Sequence, residues 1–189
     1  MIYKDMPSPQ KKKGSSFERE VANFLSEIYQ ESFIRAPGSG AYVGGKNQTR
    51  KEFLHEGQVR SFKGDIVPGQ SFPRFNAECK SYNDFPFHQV IAGDCKVLDN
   101  WIEQMMAVAE PNDISILFMK FNRKGKFVAV KCGPTWVTDN FMYYSSKFGD
   151  WLIIEFNDFF KNNKDLLKAY SAPTDTMSVK KENILTINV

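Results

Sequence analysis

Apolar and polar positions along the chain change period several times, and each change marks an element. From Ser15 to about Glu31, Phe17, Val21, Phe24, Leu25 and Ile28 recur on one face at helical spacing. Ser15 and Glu18 fit a capping box at its start. "SFIRAP" then reads as a short strand ended by Pro37. "GDIV" opens another strand, and "PGQSFPR" turns it back into "RFNAECKSY". Two strands joined so briefly are expected to pair antiparallel. In the second of them Phe75, Ala77 and Cys79 alternate as a buried face, and Asn76, Glu78 and Lys80 occupy the other.

A second long helix is predicted over 88–109, with Ile91, Cys95, Leu98, Ile102, Met105, Met106 and Ala109 on one face. "SILFMKF" and "FVAVKC" are strands around the turn Arg123-Lys124-Gly125. Beyond Gly133 come the aromatic stretch "TWVTDNFMYY", a strand "WLIIEF" and a helix in "NDFFKNNKDLLKAY". A last strand is expected where Leu185, Ile187 and Val189 alternate. This order predicts α+β or mixed α/β architecture around a central sheet, with no internal repeat.

Composition narrows the chemistry. The chain has 189 residues, enough to bury a core without disulfides. Its net charge is only +3, so the placement of positive charge matters more than its total. Three cysteines and two histidines are too few and too scattered for a disulfide framework or a His/Cys metal cluster. Any metal would therefore take oxygen ligands. No apolar run approaches a membrane span, and the N-terminus lacks the apolar centre of a signal peptide, so a cytoplasmic protein is expected. Residues 1–14, with Lys11, Lys12 and Lys13, read as a basic arm, either a solvated tail or a phosphate contact. "PGSGAYVGGKNQTR" is a glycine-rich loop with basic residues, without the Lys-Ser/Thr of a nucleotide-binding loop.

The strand pair suggests a site. Glu78 and Lys80 point the same way, and a turn near Gln70 to Phe72 places Asp65 across from Glu78. Two close carboxylates repel unless a cation joins them, and hard oxygen donors suit Mg²⁺. A cation that acidifies water, next to a lysine, is equipped for attack on phosphorus. A surface Glu/Lys ladder is the alternative reading of the same pattern.

"KKKGSSFERE", "RAPGSG", "GDIV" and "ECKSY", in that order, resemble the PD-(D/E)XK nuclease superfamily. Within it they most resemble the archaeal-type Holliday junction resolvases, which also occur in phage and viral genomes. The resemblance covers roughly residues 12 to 110. It implies a restriction-endonuclease-like αβββαβ core, a central mixed sheet flanked by helices, over residues 15–133, with 134–189 as a C-terminal extension packed on it. It implies a metal-dependent endonuclease acting on branched or double-stranded DNA as a homodimer, with Mg²⁺ as cofactor and Mn²⁺ as a substitute. A restriction- or repair-type endonuclease, or an inactive DNA-binding protein on the same fold, are the alternatives.

Carried over by motif, the resemblance assigns Asp65 and Glu78 as metal ligands, with the Cys79 backbone carbonyl, and Lys80 as the catalytic lysine. Glu18 becomes the third acidic residue; helical periodicity alone does not choose between Glu18 and Glu20, which flank the apolar stripe. Arg19, Arg35 and Ser39 fall where the family contacts DNA or supports the site, and Gln104 resembles a supporting glutamine. Lys46, Arg50 and Lys63, in a stretch longer than in the compact archaeal enzymes, are further candidate DNA contacts, joining Lys11, Lys12 and Lys13. The family's usual proline before the aspartate is Gly64 here. Trp101, Met105 and Met106 read either as core or as a dimer surface.

Overall fold

The computed structural model describes residues 9–37 and 63–173, with the backbone alone at 9–13. Helix α1 (Pro9–Tyr29) begins earlier than its apolar stripe indicated. Proline suits a first helical turn, where its missing N–H has no partner to lose. Ser15 thus lies inside the helix and not at its cap, and Lys11, Lys12 and Lys13 belong to its first turns and not to an irregular arm. Phe17, Val21 and Leu25 are buried, with Phe24 and Ile28 packed partly against the same core.

Strand β1 (Ile34–Arg35) pairs antiparallel with β2 (Ile66–Val67). The expected hairpin between β2 and β3 (Phe75–Tyr82) does not form as a ladder; one backbone–backbone bond, from the Asp65 amide to the Ala77 carbonyl (2.7 Å), links Asp65, just before β2, to β3. The brief connection contains two prolines and a turn at Gly69–Phe72, and it lifts β2 away to pair with β1.

The main sheet has five strands in the order β3-β4-β5-β7-β6, with β4 (Ile114–Phe121), β5 (Gly125–Lys131), β6 (Met142–Ser146) and β7 (Gly149–Glu155). β3 and β4 run parallel in a register that sets Glu78 beside Leu117 and Lys80 beside Met119; the other pairs are antiparallel. The parallel crossover carries α2 (Phe87–Ile91) and α3 (Lys96–Met106). One helix was expected over 88–109. Gly93 adopts φ +75°, which ends α2, turns the chain and leaves Ile91 79% exposed. Residues after Gly133 are integral to the sheet: β7 sits between β5 and β6, and α4 (Phe156–Ser171) returns across it. Glu155 caps α4 by accepting the Asp158 amide (2.9 Å). The strand expected near Leu185 lies outside the described residues.

Side-chain alternation divides the interior into two cores. Phe75, Ala77, Cys79, Ile116 and Phe118 face α1 and α4, whereas Leu117, Met119 and Phe121 face α3 with Leu98, Trp101, Ile102 and Met105. Trp101 and Met105 are therefore core residues and not a dimer surface, and Met106 packs partly buried beside them. Among the described residues no helix is long and apolar enough to cross a membrane.

Lys63, expected on DNA, is instead 6% exposed and ion-paired with Asp113 at the start of β4, with Glu110 Oε2 at 3.6 Å. The pair ties the segment before Asp65 to the main sheet. Removing one charge strands the other in the interior. Asp113→Asn is expected to lower unfolding free energy by about 3 kcal/mol in urea titrations; an unchanged midpoint and slope would show that the pair does not anchor the segment.

Candidate active site

β3 is an edge strand of the main sheet, so one side of its backbone is open to another segment. Gly64 and Asp65 occupy that side. The Asp65 amide donates to the Ala77 carbonyl, its Oδ2 accepts from the Cys79 amide (2.8 Å), and its own carbonyl accepts from the Ala36 amide (2.8 Å). The two bonds to β3 bracket Glu78, so Asp65 lies across from it as the motif spacing predicts, although by a local clasp instead of a ladder. Because N–H and C=O of one strand residue share a side, the Cys79 carbonyl also faces this edge.

The clasp requires Gly64. Its φ is +69°, and a Cβ there would stand 2.4 Å from the Ala77 carbonyl oxygen. Proline, locked near −65°, does not fit this backbone, which accounts for the departure from the family's usual residue.

The strand was expected to be half-buried, but its first five residues are buried on both faces because helices cover both sides of the sheet. Asn76 is fully buried and donates to the Met105 carbonyl (3.2 Å) and Ser115 Oγ (3.1 Å). Glu78 is 3% exposed. Burial, then the nearby charge of Asp65, push its carboxyl from an ordinary 4.5 to about 7; Lys80 opposes the shift and Glu18 adds to it. Burial and the same three carboxylates push the Cys79 thiol up as well. Lys80 Nζ donates to Glu78 Oε1 and to Gln104 Oε1 on α3, both at 2.7 Å.

Of the two candidates on α1, Glu18 lies near enough for its charge to act on Glu78, while Glu20 is engaged by Lys120 (2.5 Å) and Lys126 (3.3 Å) on β4 and β5. Glu18 is ion-paired with Arg35 on β1, so two residues assigned separate roles form one unit. The structure thus brings together Glu18, Arg35, Asp65, Glu78, Cys79, Lys80 and Gln104. Arg19 is exposed on α1; Ser39, Lys46 and Arg50 lie outside the described residues. The anchoring pair Lys63–Asp113 gave no sequence signal, because its partners lie on distant segments with no shared motif.

Among the described residues no group of three acidic, histidine or cysteine side chains stands arranged as a metal cage. The donor chemistry nevertheless fits a hard divalent cation. Asp65 and Glu78 are buried carboxylates; burial first, and then repulsion from Asp65 and Glu18, raise the Glu78 carboxyl to about 7, and a cation between them would offset both.

Two outcomes follow from this geometry. Gly64→Ala, forced into left-handed backbone against a carbonyl, is expected to cost about 2–3 kcal/mol in denaturant unfolding; a neutral result would contradict the clasp. Glu78 takes up protons on folding between its unfolded value of 4.5 and its folded value of about 7. Native stability from this group is full below the lower value and is lost as pH rises through the upper one. In chelator, the melting temperature of Glu78→Gln should therefore gain on wild type from pH 5 to pH 8. A constant difference across that range would refute the raised carboxyl.

A model of the family described as "phage putative PDDEXK endonuclease" matches residues 9–169, from the first residue of α1 through β6, β7 and most of α4. The segments past Gly133 thus lie within the family match. No curated protein and no solved structure matches the chain. Nucleases of the PD-(D/E)XK type generally use divalent metals and act on DNA. With most of its length matched and a mixed sheet flanked by helices, the chain belongs to this phage PD-(D/E)XK endonuclease family.

Proposed function

We propose that the protein is a Mg²⁺-dependent, structure-selective endonuclease that resolves four-way DNA junctions as a twofold dimer, with Mn²⁺ as a substitute. The observation that carries the chemistry is Lys80, held between Glu78 and Gln104 beside the clasped Asp65. Junction selectivity is supported by the order of "KKKGSSFERE", "RAPGSG", "GDIV" and "ECKSY", which resembles junction resolvases more than other branches of the superfamily.

Asp65 and Glu78 would hold the cation, with the Cys79 carbonyl and Glu18 alongside. When bound, the cation supplies charge neutralisation at the phosphate and a more acidic water. Lys80 orients the attacking water and offsets the negative charge that grows on phosphorus-bound oxygen. Gln104 fixes the direction of the Lys80 ammonium, and Asp65, pinned by the Cys79 amide, keeps its second oxygen for the site. Exposed Arg19, the α1 lysines 11–13, Arg35, Ser39, Lys46 and Arg50 are the proposed DNA contacts. Two symmetric cuts require two sites, which a twofold dimer provides at least cost in new interfaces.

The test is cleavage of a labelled four-way junction and a matched linear duplex, with Mg²⁺ or chelator. Metal-dependent cutting of the junction alone is expected. Asp65→Asn and Glu78→Gln should abolish it while junction binding persists, and Lys80→Ala should slow it about 10²–10⁴-fold. Equal cutting of both substrates would replace the junction reading with that of a general or restriction-type nuclease. Near wild-type rates in either carboxylate variant would remove the site assignment. On a plasmid with an extruded cruciform, early linear product supports the dimer, and nicked circles alone exclude it.

A further inference from the structure

Alternation along β3 places Tyr82 on the same face as Glu78 and Lys80. It lies two residues past the lysine, about 7 Å along the strand. In the parallel register Tyr82 sits beside Phe121, just as Lys80 sits beside Met119. Its predecessors on this face are covered, but Tyr82 is 50% exposed.

What lies beneath the ring is an ordered stack. Tyr82 packs on Trp101 with centroids 5.0 Å apart and planes inclined by 33°. Trp101 stacks on Phe85 (5.5 Å, 22°), and Phe85 stacks on Phe121 (4.8 Å, 14°). Trp101, Phe85 and Phe121 are all buried. The backbone under Tyr82 is tied as well, its carbonyl accepting from the Asn122 amide (3.2 Å). One face of a rigid aromatic column is therefore backed by the core and the outermost ring is open to solvent, one strand repeat from the ammonium of the candidate active site.

Resting on the nuclease reading above, we propose that Tyr82 is a stacking platform for one nucleobase next to the scissile phosphate, unstacked from its neighbours in the duplex. The occupant is a base because an aromatic face of this kind, set beside a phosphate-directed lysine, matches the alternation of ring and phosphate along a nucleic-acid strand. A pre-ordered ring loses little entropy on stacking, and a base already unstacked at a branch point loses less than one taken from continuous duplex. The platform thus selects for DNA in which pairing is interrupted at the cut, while Lys80 and the carboxylates act on the phosphate itself.

The test uses the full chain with four-way junctions carrying 2-aminopurine at successive positions around the cut, in chelator so that binding occurs without cleavage. Wild type and Tyr82→Phe are expected to quench the probe at one position adjacent to the cut. Tyr82→Leu, which still covers Trp101, should lose that quenching and bind the junction roughly 10- to 100-fold more weakly. Its cleavage in Mg²⁺ should show a raised KM with kcat little changed, and its melting temperature should match wild type. Absence of a quenched position in wild type, or wild-type affinity and quenching in Tyr82→Leu, would overturn the platform. Cleavage of the junction by wild type in Mg²⁺ judges the nuclease reading separately: if wild type cuts and the probe is silent, the platform fails and the nuclease stands.

Discussion

The arrangement depends on how closely one short segment approaches the edge of β3. Asp65 gives its amide to Ala77, takes the Cys79 amide on its carboxylate and presents its carbonyl to Ala36. The contact is possible only because Gly64 has no Cβ to meet the Ala77 carbonyl. From this clasp follow the position of one acidic group, the direction of the Cys79 carbonyl and the attachment of the β1–β2 pair to the main sheet. The ion pair of Lys63 with Asp113 holds the same segment from its other end.

Electrostatics then set the character of the site. Glu78 is buried near a lysine and two other carboxylates, and burial, followed by the Asp65 charge, pushes its carboxyl up to about 7. A cation beside such a group would favour its charged form, so the donor chemistry fits a hard divalent ion. Lys80, which donates to both Glu78 and Gln104, lowers the Glu78 carboxyl less than burial and Asp65 raise it. Arg35 pairs with Glu18, and the Cys79 amide donates to Asp65, so each acidic residue of the site has one partner.

The five-stranded sheet sets the candidate acid and lysine and an exposed aromatic ring along one face of a single strand. Residues of β3 pointing one way join the core under α1 and α4; those pointing the other way pass from the buried Asn76 through Glu78 and Lys80 to the exposed Tyr82. Burial falls along that face, from Asn76 and Glu78, which are buried, to Tyr82, which stays 50% exposed although it packs on Trp101 of α3. The side chains change with it, from structural amide to acid, to base, to aromatic surface.

Local periodicity was sufficient for much of this. The amphipathic face of α1, the strands β3, β4, β5 and β7, and helix α4 were legible because each is long enough to repeat its pattern several times. That Glu78 and Lys80 share a face was legible because alternation fixes it whatever the strand pairs with, whereas Asp65 reaches them through a clasp and not through the expected hairpin. Other features were decided only in three dimensions. The start of α1 at Pro9, the break at Gly93 and the pairing of β2 with β1 turn on backbone conformations and partners that no window of sequence contains. Lys63 read as a surface cation since its neutralising partner, Asp113, is remote in the chain. That Glu20 faces Lys120 and Lys126 while Glu18 faces Arg35 needed β1, β4 and β5 in place. Composition and period report what a residue can do; which charge it meets, and whether water still reaches it, are properties of distant segments brought into contact by the fold.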